Sequence, residues 1–206
     1  MRDRFVRAIQ RNAVVCAILE RLPRLALPDA WLTGGCLFQT VWNVLRGDTP
    51  ARGINDYDVF YFDAGDCSKA AEQGLNHEAA LAFSGLGCDL ELRNQARVHI
   101  WYEDEFGVPG YPKLRRSTDG IDRFLAVCCM VAVRRMGDGE IELYAPFGVD
   151  DVFSVTMRPN PWLPNAPRDC YETKARKWQA QWPELRVLPL ANGLPVGGGS
   201  ATSRSA

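Results

Sequence analysis

With 206 residues, of which 47% are hydrophobic and 24% charged, the chain can bury a large apolar core as one domain and needs no disulfide or metal staple. A net charge of −1 gives no bulk attraction for long nucleic acid or an anionic membrane. No apolar run approaches the roughly 18 residues that a spanning helix needs, and Met1 to Gln10 carries charges rather than a signal-peptide pattern, so the expectation is a cytoplasmic protein without a membrane partner. The cysteines, at 16, 36, 67, 88, 128, 129 and 170, contain no Cys-x-x-Cys pair and read as reduced thiols, mostly small core residues.

Helical spacing runs from about Arg4 to Leu22, where Phe5, Ile9, Val14, Val15, Ile18, Leu19 and Leu22 share a broad face. Pro23 and Pro28 end it. Ala30-Trp31-Leu32 predicts a short strand that leads into a Gly34-Gly35 turn. Cys36 to Leu45 then predicts a buried helix closed by Gly47. After a loop over 48–53, Asp56 to Phe62 predicts a strand rich in β-branched and aromatic residues. Ser68 to Phe83 predicts a helix with Ser68 as N-cap.

Asp89 to Tyr102 reads as strand, bent near Asn94-Gln95. Gly107 to Ser117 is a Pro, Gly and basic loop. The apolar run Phe124 to Val133 fits helix or strand equally. Ile141 to Ala145 predicts a strand and Cys170 to Trp182 a helix, with Tyr171, Ala175, Trp178 and Trp182 on one face and Lys174, Lys177 and Gln181 on another. The folded domain is expected over 1–190, followed by a Gly/Ser-rich disordered tail over 191–206.

Asp56 and Asp58 stand one residue apart on the apolar strand, so alternation turns both to one face. Like charges that close repel unless a cation joins them, and a hard divalent ion takes carboxylate oxygens. Upstream, Thr33-Gly34-Gly35 precedes a helix, where backbone N–H groups and the helix dipole can hold phosphate. Together they predict a site for a metal-bound nucleoside triphosphate. Glu91, in Asp89-Leu90-Glu91-Leu92, is the candidate third carboxylate, with Asp89 on the same face by parity.

Arg93, Arg97 and His99 are expected to alternate along one strand face, either as a solvated face or as a polar wall reaching phosphate or acceptor. Asn94 and Gln95 either orient a base or ribose or tie a bulge. Lys174 and Lys177, with Arg168 and Arg176, form a solvated helix face or help neutralise triphosphate. Lys113, Arg115 and Arg116 lie on the glycine/proline loop. Trp31, Trp42, Trp101, Trp178 and Trp182 read as core. Asp150-Asp151 fits a helix start as well as a metal ligand pair.

Gly34-Gly35, the Asp56-x-Asp58 strand and the Glu91 strand resemble the DNA polymerase beta-type nucleotidyltransferase superfamily. Trp31 to Gly35, Val41-Trp42-Asn43, Ile54 to Asp63, Asn94 to Tyr102, Ala145 to Gly148 and the Trp178/Trp182 helix are similar to its small bacterial nucleotidyltransferase-like members, over about residues 10–190. The connection from Gly35 to Asp56 is longer than is usual in the broader superfamily.

The resemblance implies an α/β domain of the α+β type, a mixed sheet flanked by helices. It also implies Mg²⁺-dependent transfer of a nucleoside monophosphate from a triphosphate, with release of pyrophosphate. By that pattern Asp56, Asp58 and Glu91 are catalytic metal ligands for two Mg²⁺ ions. Thr33, Gly34, Gly35, Asn94, Gln95 and Arg97 are the expected nucleotide-binding residues. The acceptor would be a small molecule, a protein or a short RNA end. A catalytically degenerate nucleotide-binding or regulatory module is the alternative on the same fold.

Overall fold

The computed structural model describes residues 1–54, 56–163 and 166–190. Helices α1 (Arg2–Ile9) and α2 (Ala13–Arg21) occupy the predicted first helix but are separate. Asn12 makes the break: its carboxamide oxygen accepts from the Val14 and Val15 N–H groups and caps α2. Its Nδ2 donates to Thr40 and Tyr57 inside the protein.

Strand β1 (Trp31–Thr33) leads into α3 (Gly35–Arg46), which ends at Gly47 with φ 78°. Strand β2 (Asp56–Tyr61) is joined to β3 (Asp89–Asn94) through α4 (Lys69–Ala82), whose first turn Ser68 caps. Next come α5 (Val98–Phe106) and α6 (Ser117–Ile121). The ambiguous apolar run resolves into a short 3₁₀ turn over Val127–Cys129 and strand β4 (Ala132–Arg135). Strand β5 (Ile141–Tyr144), α7 (Asp150–Phe153), β6 (Thr156–Met157), α8 (Arg168–Gln181) and β7 (Arg186–Val187) complete the described chain. The expected tail lies outside the described residues.

The main sheet has the order β3-β2-β1-β4-β5. It is mixed: β2 and β3 run parallel, while β1 pairs antiparallel with both β2 and β4, and β4 with β5. Alternation gives it two unlike faces. Leu32, Tyr57, Val59, Tyr61, Leu90, Leu92 and Val133 point into the larger core. On the opposite face Trp31 and Ala132 pack with Ile121, Val127 and Met130, with Phe60 and Phe124 at the margin. The remainder of that face, along β2 and β3, is left open.

The strand expected over 89–102 stops at Asn94. Its side chain accepts from the N–H groups of Asp63 and Ala96 and donates to the carbonyls of Asp63 and Asp66. Glu72 of α4 accepts from the Asn94 N–H at 2.7 Å and pairs with Arg97 at 2.6 Å, both side chains being 8% exposed. These buried ties turn the chain and begin α5, although Val98, Ile100, Trp101 and Tyr102 favour strand locally. Arg93, Arg97 and His99 therefore do not share a strand face: Arg93 is on β3, Arg97 precedes α5 and His99 is within it.

Helix α8 is fixed to α3 by aromatic packing. Trp42 meets Phe38, Trp178 and Trp182 edge-on at ring distances of 4.7, 6.0 and 5.3 Å. The indole N–H of Trp182 donates to Asn43 at 3.0 Å, and that of Trp42 to the Val152 carbonyl at 2.9 Å. With its apolar side thus buried, α8 turns Lys174 and Lys177 toward the open face of the sheet.

Candidate active site

A cleft of about 930 Å³ lies over that face. Its floor carries Asp56, Asp58 and Phe60 from β2 and Glu91 and Arg93 from β3. The parallel register sets Asp58 opposite Glu91 and Asp56 opposite Asp89, so the candidate carboxylates share one face of adjacent strands. Gly34 and Gly35 close one side, and Lys174, Lys177 and Trp178 of α8 stand along it.

Gly34 has φ 77° and ψ −143°, a conformation that only glycine adopts without strain. A methyl group there would stand 3.1 Å from Asp58 Oδ2. The turn thus brings the N-terminus of α3, with its unpaired N–H groups and positive dipole end, beside the carboxylates. Thr33, opposite Asp58 in the β1–β2 ladder, is fully buried and its hydroxyl donates to the Val131 carbonyl at 2.8 Å. It holds the turn's base and does not line the cleft.

The Asp58 carboxyl is pushed up to about 6, first by burial and then by the negative charges of Glu91 and Asp56, against the opposing pull of Arg93 and Lys174. The nearby Cys36 thiol is raised well above the usual range by burial and by Asp58. Three acids crowd one floor, so the local charge calls for a cation. The donors are all oxygen, which suits a hard ion such as Mg²⁺. Glu91 is paired with Arg93, and among the described residues no three acid, histidine or cysteine side chains converge as placed. Asp56 and Asp58 offer carboxylate oxygens that would hold such an ion, whereas Glu91, as placed, is engaged by Arg93.

A sequence profile of the Nucleotidyltransferase family matches residues 20–187. The chain belongs to that family. A solved structure described as "The NMR structure of the protein reveals a CCA-adding enzyme head domain" is similar to this nucleotidyltransferase at 27% identity and a TM-score of 0.75, over 90% of this chain and 94% of that one. No curated protein is similar in sequence. The expected mixed α+β sheet is the sheet found, and the site residues of this nucleotidyltransferase can be read against it.

Gln95 and Arg97 reach the cleft lining, but Arg97 is committed to Glu72 and to the Cys67 carbonyl. Asn94 is used entirely in holding the end of β3, the bulge-tying alternative. Gln95 donates to the Arg93 carbonyl at 3.2 Å and packs directly on Gly120. Asp151 pairs with Arg158 at 2.8 Å, so the Asp150-Asp151 pair serves the start of α7. Arg116 pairs with Asp119 at 3.0 Å.

Trp101 is not core: it is half-buried in the cleft wall with Tyr102, Tyr111 and Arg123, while Trp31, Trp42, Trp178 and Trp182 are buried as expected. Tyr102, Tyr111 and Arg123 were not legible as site residues, because the break at Asn94 that turns α5 toward the cleft is a tertiary feature. Among the described residues no helix is long and apolar enough to cross a membrane.

Proposed function

We propose that this nucleotidyltransferase binds a nucleoside triphosphate with Mg²⁺ over Asp56 and Asp58 and transfers the nucleoside monophosphate to an acceptor hydroxyl or amine, releasing pyrophosphate. The observation that carries the reading is the shared face: three carboxylates on adjacent strands beside a glycine-initiated helix N-terminus. When bound, a two-ion Mg²⁺ site would neutralise the phosphates and stabilise the entering and leaving oxygens.

The protein's own groups divide the remaining work. Gly34 and Gly35 let backbone N–H groups approach the triphosphate, and Lys174 and Lys177 of α8 offset its charge. Glu91 takes up the acceptor proton after exchanging Arg93 for the site. Arg93, released, is free to meet phosphate. The acceptor is a small molecule, a protein or a short RNA end, and the CCA-adding description of the similar structure supports the last. We place the reaction in the cytoplasm, in keeping with cysteines that are all free thiols.

One observation favours a second reading, a nucleotide-binding module without turnover: Glu91 is paired with Arg93. Pyrophosphate release separates the two. With the four nucleotides, Mg²⁺ and a mixture of acceptors, the enzyme releases pyrophosphate, and Glu91→Gln lowers turnover at least about 100-fold while nucleotide affinity changes by less than about threefold. Turnover unchanged in Glu91→Gln at saturating Mg²⁺ would remove that residue from the mechanism, and no release with any acceptor would favour the module.

A further inference from the structure

Past Phe60 the cleft changes character. Trp101 and Tyr102 of α5 and Tyr111 of the following loop line this stretch with Arg93 and Arg123. The Tyr102 and Tyr111 rings lie 4.2 Å apart at 35°. The Arg123 guanidinium sits over Tyr111 at 4.6 Å and that of Arg93 over Trp101 at 5.5 Å. All three side chains line the cleft and keep part of their surface exposed.

Two N–H groups here are shielded from solvent and meet no partner: Nε1 of Trp101 and Nε of Arg123. Buried donors left unmet are costly and uncommon. A ligand reaches them only if this wall shifts, and one that does must bring acceptor atoms, since neither group accepts. The flanking guanidinium groups repel a cationic amine. A flat ring with carbonyl oxygens or ring nitrogens on its edge meets each condition, because it stacks on the aromatic faces and accepts at its rim.

We propose that Trp101, Tyr102 and Tyr111, with Arg123 at their edge, form a stacking shelf for a nucleobase. The proposal rests on the nucleotide reading of the cleft and adds to it where the base lies: beyond Phe60, away from the phosphate-holding turn at Gly34. The base belongs either to the triphosphate or to the end of an acceptor strand.

The test uses the full chain and its Trp101→Leu, Tyr102→Leu and Arg123→Gln variants, with Tyr102→Phe as the conservative control and thermal melting as the check on folding. Three probes are titrated with Mg²⁺: the four nucleoside triphosphates, inorganic tripolyphosphate, and an RNA trinucleotide lacking a triphosphate. A shelf for the incoming base weakens triphosphates about tenfold in the Leu variants, leaves tripolyphosphate within twofold and is preserved in Tyr102→Phe. A shelf for the acceptor's base weakens the trinucleotide instead. Shelf-dependent trinucleotide binding by a chain that binds neither triphosphate nor tripolyphosphate would sink the triphosphate reading and keep the shelf. The shelf is overturned if no base-bearing probe binds wild type, if folded variants bind all probes unchanged, or if tripolyphosphate weakens in step. Should a Leu variant unfold, Arg123→Gln carries the same expectation.

Discussion

Asp58 is the side chain on which the floor of the cleft turns. Its carboxyl is raised to about 6 by burial and by two neighbouring acids. Between the ordinary value of 3.8 and about 6 the folded chain binds more protons than the unfolded one, so stability falls as pH rises through that window. At 1.36 kcal/mol per unit the loss is roughly 2–3 kcal/mol. In EDTA, Asp58→Asn is therefore expected to melt increasingly above wild type as pH goes from 4 to 7; a gap that stays constant would contradict the repulsion. Gly34 makes a complementary prediction. Gly34→Ala places a methyl against Asp58 at a positive φ and should cost about 1–2 kcal/mol of stability by chemical denaturation, with weaker triphosphate binding. A variant as stable as wild type would show that the turn relaxes.

The joint between α4, β3 and α5 decides where the aromatic wall of the cleft stands. Glu72 and Arg97 are buried together, so removing one leaves an unpaired charge. Arg97→Met alone should cost about 3–5 kcal/mol in denaturant unfolding. Restoring neutrality with Glu72→Gln should recover part of that, and strictly additive losses would show that the two act independently. This joint is also where the sequence was least legible. The periodic apolar signals of α3, β2 and α8 are local and gave those elements to within a residue or two. The turn at Asn94 depends on Asp63, Asp66 and Glu72, which are distant in sequence, and local strand propensity over Val98 to Tyr102 points the other way. The split between α1 and α2 is of the same kind, since Asn12 is drawn inward by Thr40 and Tyr57.

The candidate site was readable to the extent that it lies on one strand and one turn. Parity fixed Asp56 and Asp58 on a common face from the sequence alone. The parallel pairing that brings Glu91 opposite Asp58 belongs to the fold, because register between strands separated by a helix is set by packing. The roles of Thr33, Asn94 and Arg97 depended on partners that only the folded chain supplies: a carbonyl of Val131, the turn at Asp63 and the carboxylate of Glu72. Conversely, Lys174 and Lys177 face the cleft because Trp42, Trp178 and Trp182 lock α8 onto α3, a contact that helical spacing alone leaves undirected.

These layers converge on one claim, that the floor of the cleft holds triphosphate through a divalent ion. Calorimetric titration of a nucleoside triphosphate with and without Mg²⁺, into wild type and the Asp56→Ala/Asp58→Ala double variant, tests it most directly. Wild type is expected to bind only with Mg²⁺, and the double variant, still folded, to lose that binding. Binding that is equal without Mg²⁺, or unchanged in the double variant, would contradict it.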